Sequence, residues 1–210
     1  MYLPYRRLFI MLLLALSLVA ASLAPPVPPP PFLRTWGWGV RNGTAEFQIC
    51  TGNCQTGIQG SGDGQFDFSS FAIADVAVDS AGNIYVADYD NHRIQKFHHS
   101  GTFLAKWGTN GSGDGQFDNP RRVAVDSAGN VYVADSGNHR IQKFDSNGTF
   151  LATWGTNGSG DGQFTLPSGV AVDAMGNVYV AGTINSRIQK FGPGPPLKSF
   201  IAEPERPSSH

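Results

Sequence analysis

"VAVD" stands at 76–79, 123–126 and 170–173, a step of 47 residues each time. "GSGDGQF" (60–66, 111–117, 158–164) and "FLxxWG" (32–37, 103–108, 150–155) recur alongside it. A period of this length constrains the fold more than any other feature. Each unit is one supersecondary module, and only its neighbours can cover the apolar surface it cannot bury alone.

Each unit resolves into four short runs. In the middle unit they are "RVAVD" (122–126), "NVYVAD" (130–135), "RIQKF" (140–144) and "TFLATW" (149–154). "SAG", "SGNH" and "DSNG" separate them, with Gly or Asn where a hairpin needs a positive φ. Four β-branched and aromatic runs joined this tightly predict an antiparallel meander. In "VAV" and "VYVA" both parities are apolar, with large residues alternating with Ala instead of with charge. A sheet with one wet face alternates apolar and polar, so these sheets must be covered on both sides. The expectation is an all-β fold: a β-propeller of four-stranded antiparallel blades, with three full blades in this chain.

The pattern VAVDxxGNVYVADxxNHRIQKFDxxGxFL resembles the NHL repeat, over about residues 60–191. Arg stands where the third letter of the family's Asn-His-Leu signature falls: Asn138, His139, Arg140. The resemblance implies propellers, most often six-bladed. Relatives include the substrate-binding ends of tripartite-motif ubiquitin ligases, some RNA binders, a peptide-amidating lyase and extracellular sensor domains of bacterial kinases. Two cysteines cannot supply RING or B-box zinc sites. A substrate-recruiting role of the ligase kind would therefore lack its RING.

Three stacked blades leave two terminal sheets with one apolar face uncovered. The ways out are an open arc or fragment of a longer product, a homodimer closing a six-bladed propeller, or completion by a sister protein. "FLRTWGW" (32–38) reads as a fourth strand without its own first three, able to complete another copy's last blade. "LKSFI" (197–201) stands in register as the last blade's own fourth strand.

Outside the propeller (32–201) the chain reads simply. Arg6 and Arg7, the apolar run 8–20 and the small residues 20–24 predict a secretory signal peptide over 1–24. "PPVPPPP" (25–31) is a stiff linker, and 202–210 a disordered tail. The localisation expected is secreted or extracytoplasmic, at a periplasm or cell surface, with membrane attachment only if the signal segment is retained. The insertion 39–59 carries Cys50 and Cys54, whose spacing in an exported chain predicts a small-loop disulfide. A formal net charge of −1 argues against nucleic acid as a partner. Four Asn-Gly-Ser/Thr sequons, at Asn42, Asn110, Asn147 and Asn157, fit turn chemistry equally well.

In a four-stranded meander the loops alternate ends. The loops after second strands ("DYDNHR", "DSGNHR", "GTINSR") therefore share a face with the glycine-rich connections between blades. Asp88, Asn91, His92, Arg93, Asp135, Asn138, His139, Arg140, Asn185, Arg187, Asp114 and Asp161 collect there. Loops on a rigid scaffold commonly carry function, so this is the candidate binding face, for a protein, peptide or glycan. The bland reading has Asp88 and Asp135 accepting backbone N–H bonds and Arg93, Arg140 and Arg187 bridging blades. No nucleophile motif marks a catalytic residue, and no cofactor or metal site is expected. The competing enzymatic reading is a metal-dependent lyase or lactonase-like hydrolase working in the channel, with His92 and His139 as ligands.

Overall fold

Val, Ile and Tyr at successive positions leave little χ1 freedom in a helix and pack well on a pleated surface. The runs they form are strands. The computed structural model describes residues 30–38, 47–50, 52–53, 55–67, 69–70, 75–182 and 184–193, without the side chains of 36–38, 47 and 49–50. No helix occurs among them. The signal segment, the sequence 197–201, the tail and Cys54 lie outside the described residues.

The first unit is the sheet β3 (Val76–Val78), β4 (Ile84–Asp88), β5 (Arg93–Phe97) and β6 (Phe103–Trp107). The second is β7 (Pro120–Val125), β8 (Val131–Asp135), β9 (Arg140–Phe144) and β10 (Phe150–Trp154). Among the described residues the third has three strands: β11 (Pro167–Val172), β12 (Val178–Gly182) and β13 (Arg187–Phe191). All are antiparallel meanders in the same register, with Asp88↔Arg93 and Asp135↔Arg140 closing equivalent ladders. Pro120 and Pro167, which have no N–H to give to a ladder, sit at the first residue of a strand beside a bulge.

β1 (Thr35–Trp38) differs from its sequence reading. It is no orphan, because it pairs with β2 (Phe47–Cys50), inside the insertion, in the register Thr35↔Cys50 to Trp38↔Phe47. The two runs are close in sequence, and a local hairpin closes a short loop at little entropic cost.

The blades stack. One buried cluster joins Tyr85, Ala87 and Ile94 of the first blade to Val123, Val131 and Phe144 of the second. The next joins Tyr132, Ala134 and Ile141 of the second to Val178, Val180 and Phe164 of the third. The middle strand β8, walled by a sheet on each side, is buried at all five positions. That is why "VYVAD" carries no polar parity. Each buried Val, Ile or Phe contributes about 1.5–3 kcal/mol. Ring contacts continue the stack: Trp107 lies 6.0 Å from Phe144, and Trp154 6.1 Å from Phe191. Gly148, at φ 88°, sits so close beneath Trp107 that a Cβ there would lie 2.7 Å from the indole. Glycine at this turn thus answers both to its backbone angle and to the spacing between blades.

Candidate functional site: the loop face

The glycine-rich loops are held from below by the strands of the blade they enter. In the first unit Asp88, fully buried, accepts from Arg93 Nε at 2.7 Å, from Gln95 Nε2 at 3.1 Å and from the Asp67 amide at 3.0 Å. Arg93 then donates to the carbonyls of Ser61, Gly62 and Gln65. Gln95 donates to the Gln65 carbonyl and accepts from the Gly64 amide. Asn91 donates to the Gly60 carbonyl and to the Asp88 carboxylate. The second unit repeats this with Asp135, Arg140, Gln142 and Asn138 holding Gly111 to Gln116. Gln65 and Gln116 close each loop on itself by accepting from Gly62 and Gly113 amides.

These arginines were expected to bridge blades. They pin a loop to their own blade instead, and the bridging falls to the histidines. His92 Nδ1 accepts from the Asn119 amide at 3.1 Å, and His139 Nδ1 from the Leu166 amide at 3.1 Å. Both histidines sit at positive φ, 52° and 57°, which turns each ring toward the following blade. With Nδ1 accepting, the neutral His92 ring carries its proton on Nε2. The Asn110 side-chain amide nitrogen lies 3.3 Å from His92 Nε2. Ser136 Oγ donates to the Pro167 carbonyl, Lys96 to the Ser146 carbonyl at 2.8 Å, and the Val123 amide to Asp75 at 2.9 Å. These bonds reinforce the same junctions.

The third unit breaks the pattern. Gly182 stands where the others have Asp88 and Asp135, and Ser186 where they have His92 and His139. Asn185 takes over one duty of the missing carboxylate, accepting the Thr165 amide at 2.6 Å. Arg187 still reaches the carbonyls of Gly160 and Gln163, but its Nε is buried without a partner.

The residues expected at this face lie in two layers. Asp88, Asn91, Arg93, Asp135, Asn138, Arg140, Asn185 and Arg187 form the supporting layer. Asp114 and Asp161, at the loop tips, are exposed. The corresponding Asp63 pairs with Lys106 at 2.6 Å. Leu166 and Ile184, on the third unit's loops, expose apolar side chains at the same end. Burial pushes the Asp88 carboxyl above the ordinary carboxylate range, against the Asp67 amide and the Arg93 guanidinium, which pull it down. Among the described residues no group of three His, Cys, Asp or Glu could hold a metal ion. The proposed disulfide lies outside them.

Gln95, Gln142 and Gln189 escaped the sequence reading, as did a second repeated constellation at the opposite end. There Asp79 accepts from the amides of Ala81 and Asn83, from Asn83 Nδ2 and from Tyr85 OH. Asp126 and Asp173 do the same with Tyr132 and Tyr179. Lys96, Lys143 and Lys190 lie over the tyrosine rings at 5.1–5.4 Å. The signal available was strict recurrence of polar residues inside apolar runs.

Sheets of this topology, stacked face to face, define an open β-propeller. The chain carries three NHL repeats: the family profile described as NHL repeat matches residues 73–97, 117–144 and 164–191. Among curated proteins none matches the sequence. Among solved structures it is similar to an auxiliary nutrient binding protein from Bacteroides thetaiotaomicron, at 18% identity and TM-score 0.50. That match covers 77% of this chain and 43% of the other. It is also similar to virginiamycin B lyase from Staphylococcus aureus, at 12% identity, TM-score 0.39, with coverage 56% and 40%. A Bacteroides thetaiotaomicron protein of unknown function matches at 20%, TM-score 0.47, with coverage 53% and 32%. In each case the chain spans less than half of the other protein's length. At these identities the likeness is one of fold.

Proposed function

We propose that this chain is an exported, non-catalytic scaffold that binds a protein, peptide or glycan through its loop face, in a ring closed as a homodimer. One observation carries the binding reading. Every loop backbone is fixed from beneath by charged and amide side chains, while Ser112, Asp114, Ser159 and Asp161 remain exposed at the tips. A surface ordered before the ligand arrives spares it the entropy of ordering. Exposed Leu166 and Ile184 add apolar contact suited to a polypeptide.

The test screens the purified chain against a displayed peptide library and a glycan array. The reading expects ligands whose binding falls at least tenfold in the double variant Asp114→Ala, Asp161→Ala, with unchanged melting temperature. Ligands indifferent to every substitution on this face would sink it. Stoichiometric zinc or calcium, lost when His92 and His139 become Ala, would put the lyase or hydrolase reading ahead. Export is checked by N-terminal sequencing of the mature chain, with cleavage expected within the small residues 20–24.

A further inference from the structure

The two junctions inside the chain show how one blade covers the next. At the first, Tyr85, Ala87 and Ile94 form a front face that meets Val123, Val131 and Phe144, a back face. One period on, the front is Tyr132, Ala134 and Ile141, and the back is Val178, Val180 and Phe164. Front meets back both times.

The same faces are open at the ends. Ile94 and Ile141 are 0% exposed, whereas Ile188, their counterpart on the third blade's front, is 72% exposed. Val123 is 4% exposed, whereas Val76, its counterpart on the first blade's back, is 55% exposed and Val78 59%. The open front repeats the buried ones residue for residue: Tyr179, Ala181 and Ile188 stand where Tyr132, Ala134 and Ile141 do.

From this complementarity we infer that a second copy of this chain covers both open faces head to tail. The third blade's front receives the first blade's back from the partner copy, and the partner receives the reverse, so that two chains close one ring. This specifies the homodimer of the reading above. The interface is a continuation of one already built twice within the chain. A foreign partner would have to bring valines at the same spacing, and a second copy presents Val76 and Val78 at the positions that Val123 and Val125 hold inside the chain. Face-to-face pairing of two fronts would set Ile188 against itself, a contact neither internal junction makes. Exchange of β1 is not needed, since β1 is paired with β2 in its own chain.

The heterologous geometry makes a distinctive prediction. Sedimentation of the whole chain at high micromolar concentration should give twice the chain mass. Ile188→Arg spoils the front and Val76→Arg the back, so each variant alone should sediment as a monomer. Mixed together they should recover the two-chain mass, because the mixture has one junction of intact front and intact back. Both positions are exposed in the single chain, so circular dichroism should be unchanged. Ile188→Ser and Val76→Ser serve if an arginine chain fails to fold. A monomeric wild type, a Val76→Arg chain that stays dimeric, or a mass of three or more copies would each overturn the inference. Mass is read without any ligand, so failure here is separate from failure of the loop-face reading.

Discussion

Gly182 removes one carboxylate from the third blade, and the loss reaches Arg187. In the other blades the equivalent aspartate satisfies an arginine, a glutamine and a loop amide at once. Gly182→Asp should therefore raise unfolding stability by about 1 kcal/mol, the scale of a charge-assisted hydrogen bond. Asn185 must first rotate, since a Cβ at 182 would lie 2.9 Å from its Oδ1, into the pose of Asn138. Urea denaturation of the variant decides this, and a lower midpoint would refute it. Leu166 offers a second adjustment. It holds φ 51° at the position where the second blade has Asn119, at φ 53°. Left-handed backbone disfavours a leucine and suits asparagine. Leu166→Asn should gain about 1 kcal/mol by the same measurement. At this scale the sequence showed which residues recur, but not in which direction they reach. Arg93 and His92 are adjacent in the chain, yet one turns inward to its own loop and the other outward to the next blade. Gln95 was overlooked because a lone polar residue in a strand resembles a solvent-facing one.

The hairpin turns within the blades carry the acid sensitivity. At Asp79 burial works upward, but bonds from Asn83, Tyr85 and Ala81 together hold its carboxyl below the usual range. Asn177 leads the same effect at Asp173, with burial opposing. At Asp145 the leading cause is the Thr149 amide, again with burial opposing. A depressed folded value means stability that is present above the unfolded carboxylate range, near pH 4, and lost as pH falls through the folded value. Asp88 runs the other way: raised by burial, it favours the folded chain at low pH and gives that up as pH rises. The depressed groups outnumber it, so melting temperature should fall steeply from about pH 4 downward. Asp79→Asn should flatten that acid limb in a pH series of thermal melts, and an unchanged limb would refute the assignment. Strand existence and order were legible in the 47-residue period because both follow from local propensity and turn chemistry. The pairing of β1 with β2 was not, since the four residues of β2 lie in a segment that repeats nothing else.

Across the whole molecule, the two-sided apolar pattern of "VYVAD" requires the stacking. What it could not convey was how unequally the units share that benefit, because identical words receive different surroundings. The middle sheet, β7 to β10, has a wall on each flank, while its neighbours have one apiece. In a nearest-neighbour array, opening begins where support is thinnest and moves inward. Amides of β8 and β9 should accordingly exchange slowest with deuterium, and those of β3 and β13 fastest. Limited proteolysis of the single chain should whittle it toward a kernel around residues 120–154. Whatever seals the outer flanks would therefore act as a splint as well as a companion, lengthening the lifetime of strands it never touches.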